Sequence, residues 1–324
     1  MALRRSMPGI GKPAVVLAAL TLLLAACGDG KDDSDSTGGT STKLRVAALP
    51  LTDSAALYLA RDRGLFKKEG LDVTIQPVQQ SIQALPALVN GQVDVIASAN
   101  YVTFLQADEK GTLDVRILAE GVRVAPHMMD VLVPKDSGIK SVADLAGKKV
   151  AVNILNNIQS LTLNAILDAK GVDRPVYRQI AFPQMGPALQ RDQVDAVHAV
   201  EPFDSAIQGD LKARVLLDGG TAPAESLPIS GYVTTQKFAA GHAKAAAAFK
   251  RAIEAASKIA TQDPGAVREE LPKYTKVTAS QAQKIHLPSY PATTDAAQLR
   301  RLTELMKKQG LLKKDLDPAT LLVK

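Results

Sequence analysis

The feature that most restricts how this chain can fold is an alternation of strand-like and helix-like segments that runs through twice in the same order. The first pass has a strand at Leu44–Leu49 (LRVAAL), an amphipathic stretch from Ser54 to Arg63, the VTI segment at Val73–Ile75, a helix over Ser81–Asn90 and a strand at Val93–Ser98 (VDVIAS). The second has KKVAVNIL at Lys148–Leu155, a helix opening near Asn156 and ending before Gly171, VYRQIAF at Val176–Phe182, a helix near Gln184–Arg191 and VDAVHAV at Val194–Val200. Such alternation predicts an α/β fold in which each lobe is a mainly parallel sheet covered by helices. Gln92-Val93-Asp94-Val95-Ile96 also matches Gln193-Val194-Asp195-Ala196-Val197, each placed where a helix gives way to a buried strand. A duplicated lobe is the simplest origin of both correspondences.

Composition narrows the function. At 324 residues, 46% of them hydrophobic, the chain can build two ordinary cores. One cysteine permits neither a disulfide framework nor a thiolate cluster for a metal. Tryptophan is absent and aromatics make up 4%, and no basic stripe interleaves with aromatics, so no nucleic-acid partner is expected. Gly-x-Ser-x-Gly, the P-loop, HExxH and the dinucleotide GxGxxG are missing, and four histidines are scattered along the chain. Hence no catalytic residues, no cofactor and no metal site are expected. From Gln236 onward the sequence is mainly helical, a tail expected to rest on an existing domain. Its Ala247–Ala260 stretch carries Lys250, Arg251, Glu254 and Lys258 on its surface, mixed signs that favour ordinary packing over a membrane-surface helix.

The N-terminal region reads as an export signal. Arg4, Arg5 and Lys12 precede an apolar run from Ala14 that closes at Leu24-Ala25-Ala26-Cys27, shorter than the roughly 20 residues of a membrane span and ending in small residues. This stretch resembles the lipobox of bacterial lipoproteins, which implies that residues 1–26 are removed and that Cys27 carries a lipid on the outer face of the cell membrane. Losing the three leader cations takes the formal charge from +6 to +3. Residues 27–42 then form a tether: GDGKDDSDSTGGTST contains no hydrophobe and would span about 20 Å as a flexible coil.

Four further segments resemble a known family when taken together. They are Gly64-Leu65-Phe66-Lys67-Lys68-Glu69-Gly70-Leu71-Asp72-Val73, Asn90-Gly91-Gln92-Val93-Asp94-Val95, Asp144-Leu145-Ala146-Gly147-Lys148-Lys149-Val150-Ala151-Val152, and Val194-Asp195-Ala196 followed by Glu201-Pro202. In this order they resemble the substrate-binding proteins of ABC importers, in the branch for aliphatic sulfonates, nitrate and thiamine precursors. The resemblance implies a type II periplasmic-binding-protein fold: residues 43–124 plus 228–324 as one lobe, 125–227 as the other, with crossings near Arg123–Met128 and Leu227–Tyr232. It also implies a monomer that closes over a small polar solute by hinge bending and delivers it to a permease driven by a separate ATPase. A sensory binding protein would have the same chain, and an exported hydrolase would need Ser160 or Ser230 to meet His198. Locally the same residues have plain structural uses. Gly64 and Gly70 serve as helix cap and turn around a Leu65-Phe66 plug, Ser141 and Asp144 as a capping box, and Asp94 and Asp195 as acceptors for backbone amides at a turn.

In open parallel sheets a ligand lies beyond the carboxyl ends of the strands. The loop after Leu49 offers Thr52, Asp53 and Ser54, and that after Ser98 offers Asn100 and Tyr101. In the second lobe Asn153, Asn156, Asn157, Gln159 and Ser160 follow one strand, and His198, Glu201 and Phe203 follow another; Ser230 and Tyr232 sit at the return crossing. None of these loops carries Arg or Lys, so an anion would depend on helix N-termini and on hydroxyl or amide donors. Asp53 and Glu201 point instead to an amine or a protonated heterocycle, unless each merely caps a helix. His198 is expected in the core, and Met128-Met129 in the core or near the crossover.

Overall fold

The structure, a computed structural model, describes residues 41–323. The leader, Cys27 and the tether as far as residue 40 lie outside the described residues. Ten strands are arranged in two sheets: β1 (Thr42–Ala48), β2 (Leu71–Pro77), β3 (Val95–Asn100), β4 (Val115–Arg123), β5 (Asp130–Val133), β6 (Lys149–Val152), β7 (Val176–Gln179), β8 (Ala196–His198), β9 (Arg214–Asp218) and β10 (Pro228–Thr235). The first sheet has the order β2-β1-β3-β10-β4 and the second β7-β6-β8-β5-β9. In each, four strands run one way and the fourth in order, β10 or β5, runs against them. The sheets are therefore mixed, mainly parallel in direction, and superimposable in topology. Their central strands read as unbroken apolar runs because helices cover both faces: Val46, Val95, Ile96, Val150, Ala196 and Val197 are fully buried.

The shared Gln-Val-Asp motif does the same work twice. Asp94 Oδ2 accepts from the Arg45 amide at 2.7 Å while its own amide bonds the Arg45 carbonyl at 2.9 Å; Asp195 holds Lys149 with the same two bonds at 2.7 and 2.9 Å. Asp94 thus sets the register with which β3 joins β1, and Asp195 that with which β8 joins β6. Gly64 (φ +69°) begins the Leu65–Lys68 turn that presses Phe66 against Phe249 at a ring separation of 5.2 Å, and Ser141 and Asp144 form the expected capping box.

Some boundaries differ from expectation. Thr42 already belongs to β1, while β8 spans only three residues, because Val194 and Asp195 are used in the turn and Ala199 and Val200 run on into a loop. The helix expected over Ser54–Arg63 is a single 3-10 turn, Thr52–Ser54, followed by a helix at Ala55–Asp62. The Ser81–Asn90 segment divides into a 3-10 turn, Ser81–Ala84, and a helix, Leu85–Val89, since Pro86 has no amide to offer the Ile82 carbonyl. The long helix Ala243–Gln262 packs on the first lobe, with Ala246, Phe249, Ala252, Ile253 and Ala256 buried against the Ala55–Asp62 helix and β4. Among the described residues no helix is long and apolar enough to cross a membrane.

The chain leaves the first sheet through residues 124–129 and returns through residues 219–227. These crossings lie side by side: the Val124 amide donates to the Leu227 carbonyl at 2.9 Å and the Gly219 amide to the Met129 carbonyl at 3.0 Å, over the fully buried Met128 and Met129. The approach is so close that a Cβ at Gly219 would overlap the Met129 carbonyl oxygen. Gly219→Ala is expected to lower stability by about 1–3 kcal/mol through overpacking. A urea midpoint equal to that of the wild type would show that the crossings are not pressed together.

Candidate functional site

The carboxyl ends of the parallel strands in the two sheets face one another across a small cavity of about 40 Å³, space for about three waters. The first lobe lines it with Leu49, Leu51 and Asp53 after β1, Ser81 after β2, Ser98 and Asn100 at the end of β3, and Ile229 and Ser230 of β10. The second contributes Asn153, Ile154, Asn157, Ile158 and Gln159 after β6, Phe182 after β7 and Val200 after β8. Because the sheets share a topology, equivalent loops meet from opposite sides.

Helix caps organise the polar lining. Asn157 caps the helix Ile158–Ala169, its Oδ1 accepting from the Gln159 and Ser160 amides at 3.1 and 3.3 Å; Asn100 caps the helix Tyr101–Glu109 through the Thr103 amide at 3.3 Å. Gln159 Oε1 accepts from the Asn153 amide and from Asn157 Nδ2, both at 2.8 Å, while its Nε2 donates to the His198 carbonyl, which ties the β6 loop to the end of β8. Ser98 adopts φ +52°, an uncommon backbone for a side chain with a Cβ, and its hydroxyl lies 2.6 Å from that of Ser54. The lobes touch around the rim: Gln80 Nε2 donates to the Asn153 carbonyl at 2.5 Å, Gln106 Nε2 to the Asn156 carbonyl at 2.8 Å, and Thr52 Oγ1 to the Glu201 carbonyl at 3.3 Å.

Asp53 is the one ionisable side chain in the lining, which holds no Lys, Arg or His among the described residues. Ser230 donates its hydroxyl to Asp53 Oδ2 at 2.5 Å. Burial pushes this carboxyl up to about 6, against the lowering effect of that hydroxyl and of its own amide. Asp53 makes no cap for the helix that follows it. The loop is braced from behind by the C-terminal segment, where Tyr274 and Tyr290 donate to the Leu51 and Thr52 carbonyls at 3.0 and 2.8 Å.

Of the residues singled out in the sequence, Asp53, Asn100, Asn153, Asn157, Gln159 and Ser230 meet at the cavity. Thr52 and Asn156 sit at its rim. Ser54 turns its hydroxyl to the Leu49 carbonyl at 2.7 Å and to Ser98, and Ser160 back to the Asn157 carbonyl at 3.0 Å. Tyr101 is fully buried with its hydroxyl 3.5 Å from the Ala119 carbonyl, Tyr232 is buried in the core, and Phe203 stacks on Phe182 at 5.7 Å, one layer behind the lining. Glu201 faces its own helix and the C-terminal segment, accepting from Ser205 Oγ at 2.6 Å and from the His286 amide at 3.0 Å, and burial raises its carboxyl to about 7. It is a capping carboxylate rather than a cavity group. His198 is fully buried and held neutral, its pKa lowered to about 4 by burial, and neither ring nitrogen has a hydrogen-bond partner among the described residues. Since Ser160 and Ser230 bond elsewhere, the serine–histidine arrangement needed by a hydrolase is not formed.

Gln80, Ser81, Ser98 and Phe182 were not singled out. The loop after β2 and the start of the helix after β7 obey the same carboxyl-end rule as the others, so Ser81 and Phe182 could have been found; the inward turn of Ser98 depends on a positive φ that no local pattern announces. An open groove of about 1000 Å³ lies outside the cleft, between the end of β4 at Arg123, the first crossing and residues 258–268 and 285–292.

Two α/β lobes with this strand order, closing on a shared cavity, define a periplasmic-binding-protein fold. Residues 51–267 match the NMT1/THI5-like family model, well over half of the chain, and the protein belongs to that family. The chain is 30% identical over 147 residues to a Haemophilus influenzae protein named for thiamine biosynthesis, covering 45% of each. It is 24% identical over 231 residues to the nitrate/nitrite binding protein NrtA of Synechococcus elongatus, covering 59% of this chain and 52% of that one. The chain therefore spans about half the length of the curated relatives it matches. Among solved structures it resembles the alkanesulfonate-binding protein SsuA of Xanthomonas axonopodis pv. citri, bound to MOPS, with a TM-score of 0.73, 20% identity, and coverage of 88% of this chain and 99% of that one.

Asp53 also makes stability depend on pH. Its carboxyl titrates near 6 when folded and near about 4 when unfolded, so between these values the folded state holds a proton that the unfolded chain has lost. Its stabilising contribution is complete below about pH 4 and is lost as pH rises through 6, on the order of 3 kcal/mol in all. The wild-type urea midpoint is expected to fall more steeply between about pH 4.5 and 7.5 than that of Asp53→Asn. Equal slopes would mean that Asp53 is solvated.

Proposed function

We propose that this protein is the solute-binding component of an ABC importer, closing its two lobes over a small polar solute and delivering it to the permease. The observation that carries this reading is the cavity itself, lined in nearly equal measure by equivalent loops of both lobes. A solute held there has its full set of contacts only when the lobes meet, so the closed shape reports cargo to a membrane partner. The present closure leaves room for a compact group, and a larger solute requires the lobes to part about the crossings.

Asp53 selects the solute's chemistry. A carboxylate in a water-poor pocket with no cation beside it repels anions and favours a group that brings positive charge or N–H donors. The amides of Asn100, Asn153 and Asn157 supply donors and acceptors for the rest, a combination suited to amines and amino-pyrimidine-like heterocycles more than to nitrate or sulfonates. In a thermal-shift screen across these classes, amino-heterocycles are expected to raise the melting point, with the shift growing as pH rises through 6 and lost in Asp53→Asn. A shift produced by nitrate or sulfonates alone would overturn the assignment to Asp53, and no shift with any class would count against the binding role.

The lipid anchor completes the reading: Cys27, acylated after removal of residues 1–26, would hold a monomeric binding protein at the outer face of the membrane. Cys27→Ser is expected to move the protein from the membrane fraction to the soluble fraction on cell fractionation. Retention in the membrane fraction would exclude Cys27 as the anchor.

A further inference from the structure

A second group of ionisable side chains gathers away from the cavity, where the two crossings meet. His127, in the first crossing, places Nδ1 3.1 Å from Asp130 Oδ2 and Nε2 3.9 Å from Asp218 Oδ2. One donor atom from each of the three residues lies within 4.8 Å of the others. Asp218 is fastened to both crossings, since its Oδ1 accepts from the His127 amide at 3.0 Å and from the Gly220 amide at 2.7 Å. Asp204 stands behind, its Oδ2 accepting from the Asp130 amide at 2.7 Å.

The least expected member is Asp130. Its side chain is 1% exposed, and while Oδ2 meets His127, Oδ1 is buried with no hydrogen-bond partner among the described residues. A carboxylate oxygen withheld from water without a donor is costly, and an ion is one of the few things that explains it. The carboxylates of Asp130 and Asp218 converge on one imidazole, with Asp204 behind them. A second imidazole, His286, lies 5.4 Å from the His127 ring between centroids.

We propose that His127, Asp130 and Asp218 form a binding site for a divalent transition metal such as Zn²⁺, with His286 within reach as a fourth donor. Mixed imidazole and carboxylate donors suit zinc and its first-row neighbours, whereas Ca²⁺ and Mg²⁺ require more oxygen ligands than this cluster offers. Tetrahedral zinc with bonds near 2.1 Å separates its donors by about 3.4 Å; the donors here lie within 4.8 Å of one another, and since Nδ1 faces Asp130 while Nε2 faces Asp218, the imidazole must turn a single nitrogen to the metal, leaving a gap of up to about 1.4 Å to close. His127, whose side chain is 49% exposed, can swing to close it. Because His127 lies in the first crossing, while Asp130 opens β5 where that crossing ends and Asp218 closes β9 where the second begins, the metal would pin together the segments about which the lobes move. The site shares no residue with the solute cavity and stands or falls independently of the solute-binding reading.

The test is titration of untagged protein with ZnCl₂ by calorimetry, with metal content measured after dialysis, repeated with CaCl₂. One Zn²⁺ per chain is expected, weakened at least tenfold in both His127→Gln and Asp218→Asn, with no matching Ca²⁺ binding. Co²⁺ in place of zinc is expected to give d–d absorption that disappears in His127→Gln, and matched urea midpoints for the variants would show that they are folded. Absence of stoichiometric zinc, or zinc binding that is unchanged in both variants, would overturn the proposal.

Discussion

The hydrogen bond from the Val124 amide to the Leu227 carbonyl joins the two segments on which everything else depends. Each crossing feeds directly into the strand that runs against its sheet: the first into β5, the second into β10. Both strands lie between the third and last strands of their sheets, so each lobe has at its interior a strand delivered from the other. This interleaving forces the crossings to be adjacent, and adjacency in turn requires Gly219, where no side chain fits. A two-lobed molecule with paired, short connections has one soft direction of motion, opening and closing about the pair.

The same arrangement determines where chemistry can occur. Parallel strands present loops and helix starts at their carboxyl ends, and two lobes of like topology joined at the crossings turn those ends toward each other. Both lobes therefore bring polar groups to a largely apolar cavity, among them asparagines that cap helices in each lobe. Against this background of neutral donors and acceptors, one buried carboxylate, Asp53, sets the electrostatic character of the site. Relatives named for nitrate and alkanesulfonate binding share the fold, yet the fold does not choose the ligand: the lining does.

Much of the fold was legible in the chain. The twofold strand–helix alternation and the repeated Gln-Val-Asp step mark sequence-local events, and the structure realises them as matched sheets with Asp94 and Asp195 in the same backbone role. The capping box at Ser141 and the glycine-bounded Phe66 plug were readable for the same reason, since each depends on residues a few positions apart. The strand-end rule found the loops that carry Asp53, Asn100, Asn153 and Asn157. It could not tell which side chains in those loops turn inward. Glu201 and Tyr101 sit at equally promising positions, and one is held by Ser205 and His286 while the other lies beneath the β10 backbone at Gly231.

What the sequence by itself determined, then, is the class of fold, the order of its elements and the short list of loops that could meet a ligand, because periodicity, capping and turn chemistry act over a few residues. Only the tertiary structure decided that Gln80 reaches Asn153 across 73 positions, that Ser230 stands against Asp53 from 177 positions away, and that His127 and Asp218, 91 residues apart, share a cluster. Those meetings depend on how two sheets twist, pair and close about the crossings, and the free energy of burying a carboxylate or aligning a donor is defined only once that closure has brought the partners together.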